Sequence, residues 1–186
     1  MKAVVIVESM FGNTLAIAEA IRSGMQAHCS VSVISVTRVE STDLLGTDVV
    51  VVGGPTHIHG MSTEASRQNA AILALDSSSE LKLDSAAAGN GIREWLQLVH
   101  KEELPNLYAA FDTRVRGLQI ITGAASRRID AQLRRLEKEQ VLPPMSFLVG
   151  PDHKLIAGER ERAKEWGNQL AQSALARLHS AAQDMP

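Results

Sequence analysis

Aromatic residues are scarce: two Trp, one Tyr and three Phe make up 3% of the 186-residue chain. A binding wall of stacked rings is therefore hard to assemble, and the position of each ring becomes informative. Cysteine occurs once, at Cys29, so no intrachain disulfide can form. That fits a reducing cytosol and a cytoplasmic expectation, with the thiol as a small core residue. Charge of either sign is not in excess: 19 Lys and Arg stand against 21 Asp and Glu, a formal net charge of −2. Bulk electrostatics thus gives no case for nucleic acid or an acidic membrane as partner. Long apolar runs are missing too. The amino-terminal stretch at 3–7 is too short for a signal peptide or a membrane span.

What is present suffices for one domain with a sizeable core: 45% of the residues are hydrophobic and 22% charged. "AVVIV" at 3–7 is continuous and β-branched, the pattern of a strand buried on both faces. From Thr14 the period lengthens, with Ile17, Ile21 and Met25 at helical spacing. Further strands are expected at 31–36 and at 47–52, the latter with four consecutive valines. Residues 63–75 can be helical, and the Ser-rich stretch 75–91 reads as a long connection. "IREWLQLVH" from Ile92 resumes a helix. A fourth strand is expected at 107–111, ending at Asp112. A helix follows at 124–140 with Ile129, Leu133 and Leu136 inward, then a fifth strand at 144–149 and a closing helix from 159 to about 179. No internal repeat or domain boundary is evident. Alternating strands and helices with right-handed crossovers predict a three-layer α/β sandwich around a five-stranded parallel sheet, order 2-1-3-4-5. In that order the ends of strands 1 and 3 flank the topological switch point, where ligands of open α/β sheets collect.

Two unusual stretches sit at those ends. "ESMFGNT" leads from strand 1 into the first helix. Gly12 permits close backbone approach, and Ser9, Asn13 and Thr14 can donate side-chain hydrogen bonds at a helix N-terminus. That combination cradles a phosphate. No Walker lysine follows and no Gly-x-Gly-x-x-Gly is present, so a terminal monophosphate held by neutral donors fits best, against the alternative of a plain capped turn. After strand 3 comes "GGPTHIHGMST", read as an irregular loop. His57 and His59 have a metal-ligand spacing, but no third ligand falls at a motif distance, and zinc wants at least three. No metal is expected.

These loops resemble the phosphate-binding and flavin-binding loops of the flavodoxin-like family. "REWL" at 93–96 and "AFDTR" at 110–114 are similar to single-domain members of actinobacterial type. The resemblance implies the flavodoxin-like fold and a non-covalent FMN. Its phosphate would lie on Ser9, Met10, Phe11, Gly12, Asn13 and Thr14. Its ring would be edged by Pro55, Thr56, His57, Ile58, His59 and Gly60, and by Phe111, Asp112 and Thr113 after strand 4. Classical flavodoxins flank the ring with Trp and Tyr and are strongly acidic; this chain has neither feature. Tyr108, Phe147 and Trp166 read as core, as does Trp95 in mid-helix. Phe11 and Phe111 are then the aromatics best placed for a flavin, with stacking open to His57, His59 or Met61, or to a neighbouring subunit.

From Arg114 to Lys138, seven basic residues outweigh Asp130 and Glu137. A solvated helix face accounts for most such runs. Arg114 and Arg116, beside the expected flavin edge, leave open a role toward an anionic substrate or the phosphate of NADPH. The expected function is electron transfer through FMN, with a redox partner protein or a small quinone-like acceptor. The alternatives are an NAD(P)H-dependent quinone-type oxidoreductase and a flavin-free interaction module of the same fold. No catalytic side chain is expected, because a flavin carries the chemistry itself.

Overall fold

The computed structural model describes residues 1–57, 60–75, 82–84, 87, 89–117 and 123–183. Its elements run β1 (Lys2–Val7), α1 (Asn13–Met25), β2 (Ser30–Ser35), α2 (Ser41–Leu44), β3 (Val49–His57), β4 (Gly60–Met61), α3 (Glu64–Leu75), α4 (Ile92–Leu98), a 3₁₀ turn (Lys101–Glu103), β5 (Leu107–Val115), α5 (Ala125–Arg135), β6 (Glu139–Gln140), β7 (Met145–Val149) and α6 (Glu159–Gln183).

The sheet order is β2-β1-β3-β5-β6, with β7 also on β5 and all of these pairings parallel. The predicted 2-1-3-4-5 arrangement holds, with two short strands added. The last position is shared: β6 pairs with Leu107 and Tyr108 and β7 with Phe111 to Val115, so the edge strand is split into two pieces. β4 pairs antiparallel with the end of β3, closing a small hairpin over the sheet.

Alternation along the central strands divides the core in two, as period-2 side chains must. Ala3, Val5, Val7, Val49 and Val51 face α1 and α6, whose Ile17, Ile21, Ala163, Trp166 and Leu170 complete that layer. Val4, Ile6, Val50 and Val52 face the other way, toward Ile92, Leu96, Ile129 and Leu133. The four valines of β3 thus serve both layers in turn. Tyr108, Phe147 and Trp166 are core residues, and half-buried Trp95 packs on the second layer.

Several boundaries differ from expectation. β3 runs on through Gly53, Gly54 and Pro55 to His57, and β5 on to Val115. The two strands extend together because each supplies the other's backbone partners, Gly53 opposite Phe111 and Pro55 opposite Thr113. Gly53 is a packing position: a Cβ there would lie 2.1 Å from the Phe111 ring. The helix expected over 124–140 stops at Arg135. Glu137 turns left-handed at φ 59, and the N–H groups of Glu137 and Lys138 donate to the Arg134 and Leu133 carbonyls. That Schellman closure usually carries Gly, so its sequence signal was missing. Among the described residues, no helix is long and apolar enough to cross a membrane.

Candidate functional site

A cleft of about 320 Å³ opens at the carboxyl ends of β1, β3 and β5. Its walls come from the loop after β1 (Met10, Phe11, Asn13, Thr14), the end of β3 (Pro55, Thr56, His57) and the end of β5 (Thr113, Arg114, Val115). Ser66, Asn69, Ala70 and Leu73 of α3 form one side, with Val149 and His153 opposite. A larger groove of about 680 Å³ lies at the other end of the sheet, beside Thr47, Asn106, Glu139 and Arg177. Its location, at the amino ends of the strands, is not where such sheets bind ligands.

The first loop is built around Gly12. It takes φ +82 with nothing within 4 Å of where a Cβ would sit, so a left-handed residue opens the path to α1. Asn13 and Thr14 head the helix, where N–H groups have no intrahelical acceptor and the helix dipole is positive. No acidic residue occupies the first turn of α1. The Thr14 and Thr113 hydroxyls meet at 2.7 Å, joining the first loop to β5. Asn13 Nδ2 donates to the His153 carbonyl at 2.7 Å, and the Phe11 and His153 rings stand edge to face, 6.4 Å apart. Ser9 lies behind this cradle rather than on its surface. Its Oγ accepts from the N–H groups of Gly12 at 3.2 Å and Leu15 at 3.4 Å, shaping the loop from beneath.

At the second loop, His57 lies in the hairpin of β3 and β4, paired with Gly60. Burial first, and then the positive charge of Arg67, push its pKa down, so the imidazole is neutral and flat at pH 7. Thr56 Oγ1 accepts from the Ala125 N–H at 2.8 Å and donates to Asp112 Oδ2 at 3.0 Å. The same carboxylate oxygen accepts from the Ser126 N–H at 2.9 Å, so Asp112 caps α5 from the underlying strand β5. Burial dominates at Asp112 and raises its pKa.

Of the residues the sequence marked, Met10, Phe11, Asn13, Thr14, Pro55, Thr56, His57 and Thr113 converge on the cleft, and Gly12 shapes the turn between them. Besides Ser9, which supports the loop from beneath, three placements differ from expectation. Phe111 is fully buried, its ring beneath Gly53 and edge-to-face with Phe147 at 6.3 Å, because its position on β5 points toward α1 and α6. Asp112 is also fully buried and holds α5. Gly60 lies in the hairpin, where an added Cβ would face Arg128. Ile58 and His59 lie outside the described residues, as do parts of the 76–91 connection. His153 was missed, although the turn "GPDHK" after the last strand opens at the same sheet edge.

The residues fit a flavin mononucleotide by the chemistry of their donors: neutral hydroxyls, amides and a helix N-terminus at one end of the cleft, and flat or apolar groups at the other. Among the described residues, no carboxylate lines the cleft.

An open, doubly wound α/β sheet with its cleft at the switch point defines the class of α/β proteins that take ligands at the carboxyl ends of their strands. More narrowly, the chain belongs to the flavodoxin family, whose model matches residues 5–101. No curated protein matches the chain. Among solved structures, a flavodoxin from the domain Archaea is 22% identical with a TM-score of 0.63, over 94% of this chain and 99% of that one. Oxidised flavodoxin 1 from Bacillus cereus is 16% identical with a TM-score of 0.63, over 92% and 98%. Rubredoxin oxygen:oxidoreductase from Desulfovibrio gigas, 16% identical with a TM-score of 0.63, matches 95% of this chain but only 37% of its own. At these identities the likeness is one of fold.

Proposed function

We propose that the protein binds FMN without a covalent link and transfers electrons through it in the cytoplasm. The observation that carries this reading is the neutral donor set at the start of α1, opening directly into the cleft at the carboxyl ends of β1, β3 and β5. The Asn13 and Thr14 backbone and the Thr14 hydroxyl would hold the phosphate, and Pro55, Thr56, His57 and Phe11 would border the ring. FMN, when bound, supplies one- and two-electron transfer. The protein's part is to bind it, orient it and limit its contact with water. A neutral His57 suits an apolar edge.

Arg114 lines the cleft and Arg116 is exposed, which favours an NAD(P)H-dependent quinone-type oxidoreductase, the arginines meeting an anionic substrate or the NADPH phosphate, as the second reading. Titrating the purified protein with FMN tests the first. Quenched flavin fluorescence with a saturable dissociation constant is expected; unquenched fluorescence would leave a flavin-free interaction module. Steady-state reduction of quinones by NADH and NADPH, against reduction by a protein donor, then separates enzyme from carrier.

A further inference from the structure

The return arm of the β3–β4 hairpin is gripped by two buried charges, Glu8 and Arg67, and by half-buried Arg93. Ser62, fully buried, follows β4 directly. Its hydroxyl donates to Glu8 Oε1 and accepts from Arg67 Nη1 at 2.9 Å. Its carbonyl accepts from Arg93 Nε at 2.8 Å, and the carbonyl of Met61 accepts from Arg93 Nη2 at 2.7 Å. Glu8 also receives the Ile92 N–H at 2.8 Å, while Arg67 reaches Glu94 Oε2 at 3.1 Å. Four segments therefore meet at one serine: the end of β1, the arm after β4, α3 and α4. Two carboxylates balance two guanidiniums there.

Such charge clusters contribute little net stability, since desolvation opposes their attraction; here their hydrogen bonds converge on one short arm, two of them on the Ser62 hydroxyl and two on the Met61 and Ser62 carbonyls. What this cluster touches is the hairpin whose other strand carries Pro55, Thr56 and His57, paired across it as Thr56 with Met61. We propose that Ser62 is a positioning residue for the flavin ring, held by Glu8, Arg67 and Arg93 so that the hairpin presents its cleft-facing strand at a fixed height. This rests on the FMN reading. It also gives Arg93, the first residue of the "REWL" stretch, its role.

The ring and the phosphate can be tested apart, because riboflavin has the ring without the phosphate. Dissociation constants of FMN and riboflavin would be measured for wild type, Ser62→Ala, Ser62→Thr and Thr14→Val, with the melting temperature of each apo-protein above the assay temperature. Loss of a hydrogen-bonding hub predicts that Ser62→Ala weakens both flavins by the same factor, about tenfold. Ser62→Thr, which keeps the hydroxyl, restores most of it, whereas Thr14→Val weakens FMN alone. Should Ser62→Ala not fold, Arg93→Lys is expected to show the same pattern, since a lysine cannot reach both carbonyls. Unchanged riboflavin affinity in the folded variant would overturn the inference and leave the FMN reading intact. Wild-type protein that binds neither flavin would overturn both.

Discussion

Thr14 is where the account is most exposed at the level of single residues. Its hydroxyl meets that of Thr113 at the floor of the cleft, one residue into a helix whose N–H groups point outward. Thr14→Val keeps the shape and removes the donor. A hydrogen bond to a charged group contributes about 1.5–3 kcal/mol, so FMN affinity should fall by roughly tenfold to a hundredfold in a fluorescence titration. Glu8 makes a second, independent prediction. Burial raises its carboxyl above the ordinary range, outweighing the hydrogen bonds from Ser62 and Ile92 and the charge of Arg67, while Glu94 adds to the rise. The folded chain therefore binds a proton more readily than the unfolded one. That contribution to stability is full below the ordinary carboxylate pKa and is lost as pH rises through the raised folded value. In urea melts across mildly acidic pH, Glu8→Gln should flatten the decline seen in wild type; an unchanged slope would show that Glu8 does not titrate in that window.

Among the elements, α1 and α6 make the tightest contact. A Cβ on Gly24 would lie 1.9 Å from the Lys164 carbonyl oxygen, and one on Gly167 would lie 2.3 Å from that of Ile21. Backbone meets backbone there, and neither side can yield as a side chain could. Alanine in a helix interior is ordinarily worth about 1 kcal/mol over glycine. Overpacking costs about 1–3 kcal/mol, and a clash with backbone belongs at the upper end. Gly167→Ala should therefore lower the melting temperature by several degrees in calorimetry; a rise would mean the helices sit further apart. Much at this scale was legible. The β-branched runs of β1 and β3 and the Ile17–Ile21–Met25 stripe of α1 announce their elements by period alone. The end of α5 was not, because its left-handed cap falls on Glu137 instead of Gly. The continuation of β3 through Gly53–Gly54–Pro55 was hidden as well, since those residues signal a loop and only the partner strand makes them extended.

For the whole molecule, the strand order follows from alternation and handedness, and the order places the cleft. That is why most of the two marked loops arrive together. The misplacements on β5 follow from its length: Phe111 and Asp112 point to opposite faces, yet both are covered because the strand runs on past them. Phe111 and Thr113 share the face toward α1, but Phe111 is covered by the core while Thr113, nearer the carboxyl end, reaches the cleft, since β5 continues beyond the expected end. His153 joins from a turn with no motif of its own. Binding to this assembled site should also appear as mass-action stabilisation. FMN at a hundredfold excess over its dissociation constant adds about 2.7 kcal/mol and raises the melting temperature, whereas inorganic phosphate at the same concentration does so far less.

The most direct measurement is a crystal structure of the protein with FMN. The phosphate is expected against the Asn13 and Thr14 amides, and the ring between Phe11 and the Pro55–His57 edge. Density for the nucleotide at another face of the sheet, or none at saturating concentration, would contradict that placement.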